Sequence, residues 1–305
     1  MSFTFYGCGC IVGVGIFIFR KNFIKKCPIN HCYSYKEPDI MKKLYTAAAL
    51  LSLAMLYAGD SSLQPAKAAD WKSESRITEK DGVFVSGAYN RVISRTMLAV
   101  DPAKKYRVSG EFRQTAGKDA KIHFGVAPYS ADKKFIGPLN SIIYGKTFNT
   151  LKKAVKAGDT KIEIAPQSDW IARNHFRVAF NAKKDGSDLP NFDISKGAPV
   201  KRSFNVDAGT IIITLSKPVE KDYPAGTNVR LHTGGGEFLS CAGEALALSD
   251  DWKSFSGEIT GESSGHTRKN FRKNTKFAAI MFRVYAPDRV NSKIQFRNLK
   301  LEEVK

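Results

Sequence analysis

The chain has 305 residues, of which 43% are hydrophobic and 25% are charged. This is ordinary globular usage, enough for one large domain or two modest ones, and it excludes a disordered tail protein, a collagen-like fibre and a polytopic membrane protein. The formal net charge is +19 at pH 7. A surface this basic favours acidic partners.

The segment from Met41 to Ala68 has the order of a secretory signal. Lys42 and Lys43 follow Met41, an apolar run covers residues 44–58, and Ala66-Lys67-Ala68 is a small-x-small motif. A basic region, an apolar region and a small-residue site in this order are typical of a signal peptide, and the apolar run is short for a membrane span. The sequence therefore predicts a signal peptide over 41–68 with cleavage after Ala68. Cleavage after Ala58 is the alternative.

Residues 1–40 precede that signal, although a signal peptide acts from the N-terminus. We interpret them as an upstream extension translated by mistake. The alternative is a membrane helix over residues 2–19, oriented by the basic cluster that begins at Arg20. Export predicts a secreted, periplasmic or cell-surface protein with no stable membrane insertion after cleavage.

Only one of the five cysteines, Cys241, lies beyond residue 68. The mature chain is therefore predicted to hold no intrachain disulfide, with Cys241 as a buried apolar residue. Residues 69–305 keep 40 Lys and Arg against 26 Asp and Glu. That balance favours an extracellular glycan as partner, with acidic polysaccharide included. Export argues against nucleic acid.

From Val83 onward, apolar residues recur with a period of two, which is typical of half-buried strands. Tyr106, Val108 and Phe112 show it, as do Ile122, Phe124 and Val126. Gly-rich and Asp-rich turn signals separate many such short runs. Only residues 151–157 and 243–248 could form a helical turn. The pattern predicts an all-β sandwich or barrel and excludes helix-based nucleotide folds.

The last predicted strand changes phase. Ile294 and Phe296 share one parity, whereas Leu299 and Leu301 take the other. This slip predicts a β-bulge between Arg297 and Asn298.

Several segments resemble the galactose-binding-like jelly rolls found in carbohydrate-binding modules of bacterial glycan-degrading proteins. Residues 100–110 resemble an opening strand pair, and residues 252–261 resemble the W-x-x-Y/F-S-G-x-I-x-G strand of these modules. Residues 271–277, 280–285 and 294–301 match the closing strands. The resemblance implies a jelly-roll β-sandwich over 69–147 and 237–305.

Residues 148–236 lie between the two parts of this predicted sandwich. The runs 157–164, 209–215 and 223–230 are similar to small β-barrel modules of bacterial surface proteins and phage fibres. The fold class predicted is therefore all-β: a jelly-roll β-sandwich interrupted by a small β-barrel insertion, after an N-terminal signal segment.

Strand parity and loop position select the candidate binding residues. If Phe124 and Phe282 point into the core, the opposite parity faces outward, and sugar binding needs aromatic platforms with polar groups on such a face. The outward set also includes Glu111 and Arg113, and an outward Met281 indicates a partly covered face. Parity places His123, Arg283 and Tyr285 on the outward face, and Tyr129 and Tyr144 fall in or beside loops that could rim it. These five are the predicted carbohydrate-binding residues.

Two further features bear on a ligand. Residues 268–273 hold the densest basic cluster of the mature chain, suited to an anionic polymer or to solvent. Related jelly rolls often hold a structural Ca²⁺ near the last strand, where this chain has Arg297, which would repel the ion. Backbone carbonyls could still bind a structural Ca²⁺ there. No metal-binding residues and no other cofactor are predicted.

Catalytic motifs are weak. The sequence has no Gly-x-Ser-x-Gly and no His-Glu-x-x-His motif. Lys121-Ile122-His123 faintly resembles the Gln-Ile-His of alginate lyases, but the other motifs of that family are missing. The function predicted is non-catalytic carbohydrate binding. A structural or adhesive protein-binding role is the alternative, and a polysaccharide lyase is the third.

Overall fold

The computed structural model describes residues 61–72, 77–87 and 91–305. The predicted extension and most of the predicted signal peptide lie outside these ranges. Within them the all-β class is confirmed, with nineteen strands and two short helical segments, a 3-10 turn (Ala68–Asp70) and α1 (Pro138–Ser141). None of the helices in this part of the chain is long and apolar enough to cross a membrane.

Two antiparallel sheets form a sandwich. The first sheet has the strand order β2 (Thr78–Lys80), β3 (Val83–Gly87), β19 (Lys293–Glu303), β6 (Tyr106–Ala116) and β15 (Lys253–Ile259), with β1 (Ser62–Leu63) also on β19. The second has the order β4 (Arg91–Ile93), β18 (Phe277–Tyr285), β7 (Lys121–Tyr129) and β14 (Leu239–Ala247), with β5 (Leu98–Ala99) also on β18.

The connections between these strands make a jelly roll. Along the chain, β3, β6, β15 and β19 belong to the first sheet, and β4, β7, β14 and β18 to the second. The spatial orders β3-β19-β6-β15 and β4-β18-β7-β14 are those of two interleaved Greek keys. A short parallel pair, β16 (Glu262–Ser263) with β17 (Phe271–Arg272), lies in the connection between β15 and β18.

Alternate side chains of both sheets fill the space between them. Phe112 packs its ring 5.0 Å from Phe124 and 5.1 Å from Phe282, and Trp71 lies 5.3 Å from Phe296. These rings are 2% exposed or less. Removing one such ring costs about 3–5 kcal/mol, so this aromatic core fixes which strand faces point outward.

Six strands lie between β7 and β14 and form an inserted module. They are β8 (Asn149–Thr150), β9 (Lys161–Ile164), β10 (Phe176–Phe180), β11 (Pro199–Asn205), β12 (Thr210–Leu215) and β13 (Asn228–Thr233). The module has its own core, which includes the fully buried Trp170 and the stacked rings of Phe180 and Tyr223, 3.8 Å apart.

The closed barrel expected for this insertion does not form among the described residues. The strands make two three-stranded sheets, β10-β13-β8 and β11-β12-β9. Isolated bridges, among them Leu151 to Ile164 and Ala179 to Ile194, link the sheets or their edges in place of ladders. Closure needs continuous ladders around the ring, and β8, with two residues, is too short to supply one.

The bulge predicted in the last strand is confirmed. The register of β19 against β6 shifts between Arg297 and Lys300, and Asn298 has a positive φ of 54°. The helical turn considered for residues 243–248 is wrong. They lie largely in β14, which pairs with β7 through two register shifts, with positive φ at Gly243 and Ala245.

Candidate functional site

The outward face of the second sheet carries a row of polar side chains. Arg91 of β4 is registered against Arg283 of β18, and Arg283 against His123 of β7. Side chains registered in this way lie about 5 Å apart at Cβ. Three neighbouring strands therefore present two guanidinium groups and an imidazole side by side.

Glu237 lies over two members of this row. Its carboxylate contacts the Arg91 guanidinium closely and lies 3.6 Å from Nη1 of Arg283. Within the described residues, Nε of Arg283 is buried without a hydrogen-bond partner. The Glu237 carboxylate is therefore closer to Arg91 than to Arg283.

His123 and Tyr285 form the aromatic part of the face. Their ring centroids are 4.6 Å apart, and the Arg283 guanidinium lies 5.2 Å from the Tyr285 ring. Burial lowers the pKa of His123 below its ordinary value, the nearby Glu244 carboxylate opposes this, and Arg268 and Arg283 add to the lowering. The imidazole is thus mainly neutral at neutral pH and can accept or donate a hydrogen bond.

Loops beyond the sheet turn this face into a cleft of about 1030 Å³. Residues 265–270 form one wall, the segment 235–240 another, and Glu244 of β14 lies beside His123. Arg268 reaches the Glu244 carboxylate at 2.7 Å, and that carboxylate also accepts a hydrogen bond from Ser240 at 2.6 Å. The lining holds four Lys or Arg and two Glu residues, so its net charge is positive.

Arg272 supports the floor of the cleft. It is 3% exposed, and its guanidinium donates to the backbone carbonyls of Ile136, Gly236 (2.6 Å) and Glu237 (3.2 Å). Burial lowers its pKa to about 10. Because Ile136 precedes the inserted module and Gly236 follows it, one side chain joins both connections of the module to the sandwich.

Three of the five predicted binding residues, His123, Arg283 and Tyr285, come together in this cleft. Tyr129 does not line it. Its ring is 4% exposed in a small apolar cluster with Met281, and its hydroxyl accepts a hydrogen bond from Lys72 at 3.0 Å. Tyr144 packs 4.4 Å from Phe176 beside the core of the inserted module.

The expectation that Glu111 and Arg113 share a face with His123 is wrong. Both belong to β6 in the first sheet, where Glu111 accepts a hydrogen bond from Arg297 at 2.6 Å. Arg113 and Arg297 lie on the ring of Trp252, 4.7 and 4.2 Å from it. Parity predicts whether a side chain points outward, but it does not predict which of the two sheets carries it.

The cleft also contains residues that parity did not single out. Glu237 and His266 reach it from loops, and Glu244 from the bulged strand β14. Their sequence signals were the Gly234-Gly235-Gly236 turn and the basic cluster at 268–273. Nothing local in the sequence pairs Glu237 with Arg91, which lies 146 positions away.

The described residues contain no group of three or more His, Cys, Asp or Glu able to hold a metal ion. Near the last strand, Glu111 is bound to Arg297, so a cation at that carboxylate would have to displace the guanidinium. Cys241 is buried, and burial raises the pKa of its thiol to about 12.

A comparison with protein-family models finds none that matches this sequence. A search of curated proteins finds no significant match.

Proposed function

We propose that this protein binds an extracellular carbohydrate without cleaving it, and that the ligand is an anionic polysaccharide. We also propose that the sandwich belongs to the galactose-binding-like group of jelly rolls, whose strand motifs the sequence resembles. The observation that carries it is the grouping of His123, Arg283 and Tyr285 on one outward face inside a basic cleft.

The chemistry of the cleft suits a charged sugar chain. An aromatic ring packs on the apolar face of a sugar. A guanidinium group binds a carboxylate or sulfate through two parallel hydrogen bonds. Tyr285 offers the ring, and Arg283 offers a guanidinium that Glu237 holds only at 3.6 Å. A ligand carboxylate can therefore take Arg283 while Glu237 stays with Arg91.

The direct test is binding of the purified exported protein to polygalacturonate, alginate and heparin, with dextran as a neutral comparison. We expect Arg283→Met to weaken binding of the preferred polyanion about tenfold, which corresponds to one charge-assisted contact. Tyr285→Leu should weaken it by a similar factor because the sugar loses its platform.

Arg202→Met is the matched control. Arg202 is exposed on β11 of the inserted module, so its loss changes net charge equally without touching the cleft. The proposal would be contradicted if both arginine variants lose binding equally and all binding disappears at about 0.15 M salt. Such a result would show that binding depends only on net charge.

Protein binding is the second candidate. β11 pairs only with β12 in the described part of the chain, and it exposes Val200 (47%) and Phe204 (55%). An edge strand with exposed apolar side chains can pair with another chain. This role would be favoured if the protein binds no polysaccharide but associates with another protein chain, and if Phe204→Ser abolishes that association. Appearance of unsaturated sugar products in the binding assay would favour the lyase.

A further inference from the structure

Residues 61–63 are part of the sandwich. Ser62 and Leu63 form β1, which pairs with Glu302 and Leu301 of β19. The N–H of Glu303 donates to the carbonyl of Ser61 at 2.9 Å. The segment that the sequence assigns to the end of a signal peptide therefore supplies a strand of the fold.

Side chains of this segment alternate as a strand requires. Leu63 is 7% exposed and belongs to the main core, Pro65 is also buried, and Gln64 between them is exposed. Further along, the Asp70 carboxylate accepts hydrogen bonds from the N–H groups of Ala66 (2.8 Å) and Lys67 (3.0 Å). The chain is thus held continuously from β1 to the buried Trp71.

β1 also completes an edge of the first sheet. The end of β19 pairs with β6 on one side through residues 300–303. On its other side β3 covers only residues 293–296, and β1 covers 301 and 302. Cleavage after Ala68 would remove β1, expose this edge and take Leu63 out of the core.

We propose that the export signal is cleaved after Ala58, so that the mature chain begins at Gly59 and keeps β1. This inference rests on the predicted export, not on the ligand. One water molecule hydrolyses the Ala58–Gly59 peptide bond in the active site of a signal-processing protease, leaving a carboxylate on Ala58 and a free amine on Gly59. The signal is then residues 41–58, within the usual length. Its last residue, Ala58, is small, whereas the third residue before the cut is Leu56, so the fold and not a small-x-small motif selects this site.

The test uses two matched variants of the chain expressed from Met41 in a secreting bacterium, which retains every described residue. Ala58→Leu should accumulate the uncleaved precursor, because the small residue before the cut is lost. Ala68→Leu should be processed as the parent is. N-terminal sequencing and intact mass should give Gly59 as the first residue. A chain that begins at Ala69, or that is not cleaved, would overturn the proposal.

A second measurement tests the structural reason. In the secreted protein, Leu63→Ala should lower Tm by about 5 °C or more, since it empties a core position. Gln64→Ala, on the exposed side of the same strand, should leave Tm within about 1 °C. Equal Tm values for the two variants would show that β1 does not stabilise the fold. Polysaccharide binding is independent of both results, so its failure is distinguishable from failure of this proposal.

Discussion

Arg283 lies directly opposite His123 in the antiparallel pair of β18 and β7. The guanidinium helps to keep the imidazole neutral, after the larger effect of burial. When His123 does take a proton, the cleft gains a second cation beside the arginine already placed for an anionic ligand. The pair therefore couples the charge of the site to pH.

Affinity for a polyuronate should rise as pH falls from 7 towards 5. The pKa of His123 is lowered, so protonation, and with it the added attraction, begins only below the usual range near 6.5. Titration calorimetry at several pH values should show this rise in the parent and its loss in His123→Gln. Affinity that rises equally in both proteins would assign the effect to other groups.

Gly125→Ala should destabilise the sandwich where it borders the cleft. A Cβ at Gly125 would lie 1.9 Å from the Leu239 carbonyl oxygen, because β14 crosses β7 closely at its bulge. We expect the free energy of unfolding, measured in urea, to fall by at least about 2 kcal/mol. Gly265→Ala, where the added Cβ meets only Ser263 at 3.6 Å, should cost under about 1 kcal/mol. Similar values for both variants would contradict this close approach.

His232 should make the protein less stable in acid. Its imidazole is buried, Nδ1 lies 2.8 Å from the Leu139 carbonyl oxygen, and Nε2 lies 3.1 Å from Nε of Arg230. Burial, with Arg230 second, lowers the pKa of His232 to about 4. The unfolded chain takes up this proton near pH 6.5, so stability is full above that pH and falls until about pH 4.

Between about pH 6.5 and pH 4 the free energy of unfolding should fall by about 3 kcal/mol. This follows from about 1.4 kcal/mol for each unit by which the pKa of His232 differs between the unfolded and folded chain. Urea unfolding between pH 7 and 4 measures it. His232→Gln should flatten the slope, whereas His175→Gln, at an exposed histidine, should leave it unchanged. An unchanged slope in His232→Gln would assign the acid sensitivity to carboxylates.

Arg272→Met should weaken both stability and ligand binding. The variant leaves three backbone carbonyls without their donor, which costs about 2–4 kcal/mol. It also frees the segment that positions Glu237. Arg268→Met removes a largely exposed ion pair from the same connection and should cost under about 1 kcal/mol. Equal stability of the two variants in urea would show that the buried contacts are not important.

Local periodicity predicted the all-β class and the outward direction of His123, Arg283 and Tyr285, because alternation in a strand depends only on neighbouring residues. The bulge at Asn298 was visible for the same reason. The sequence did not predict the ion pairs on this face, because Glu237 reaches Arg91 and Arg283 from a loop that follows the inserted module. Tyr129 has the outward parity as well, but it is buried in a cluster with Phe238 and Met281, and parity carries no information about what packs against a face.

The position of the inserted module has a consequence for how the chain folds. β7 and β14 are neighbours in one sheet although residues 130–238 separate them, and closing so long a loop is entropically costly and slow. The module shortens that loop once its own core has formed, since the N–H of Tyr144 donates to the Leu231 carbonyl at 3.0 Å and Ile143 bridges His232. Substitutions in the core of the module should therefore slow the pairing of β7 with β14. We therefore expect the insertion to form before the sheet that carries the cleft is complete.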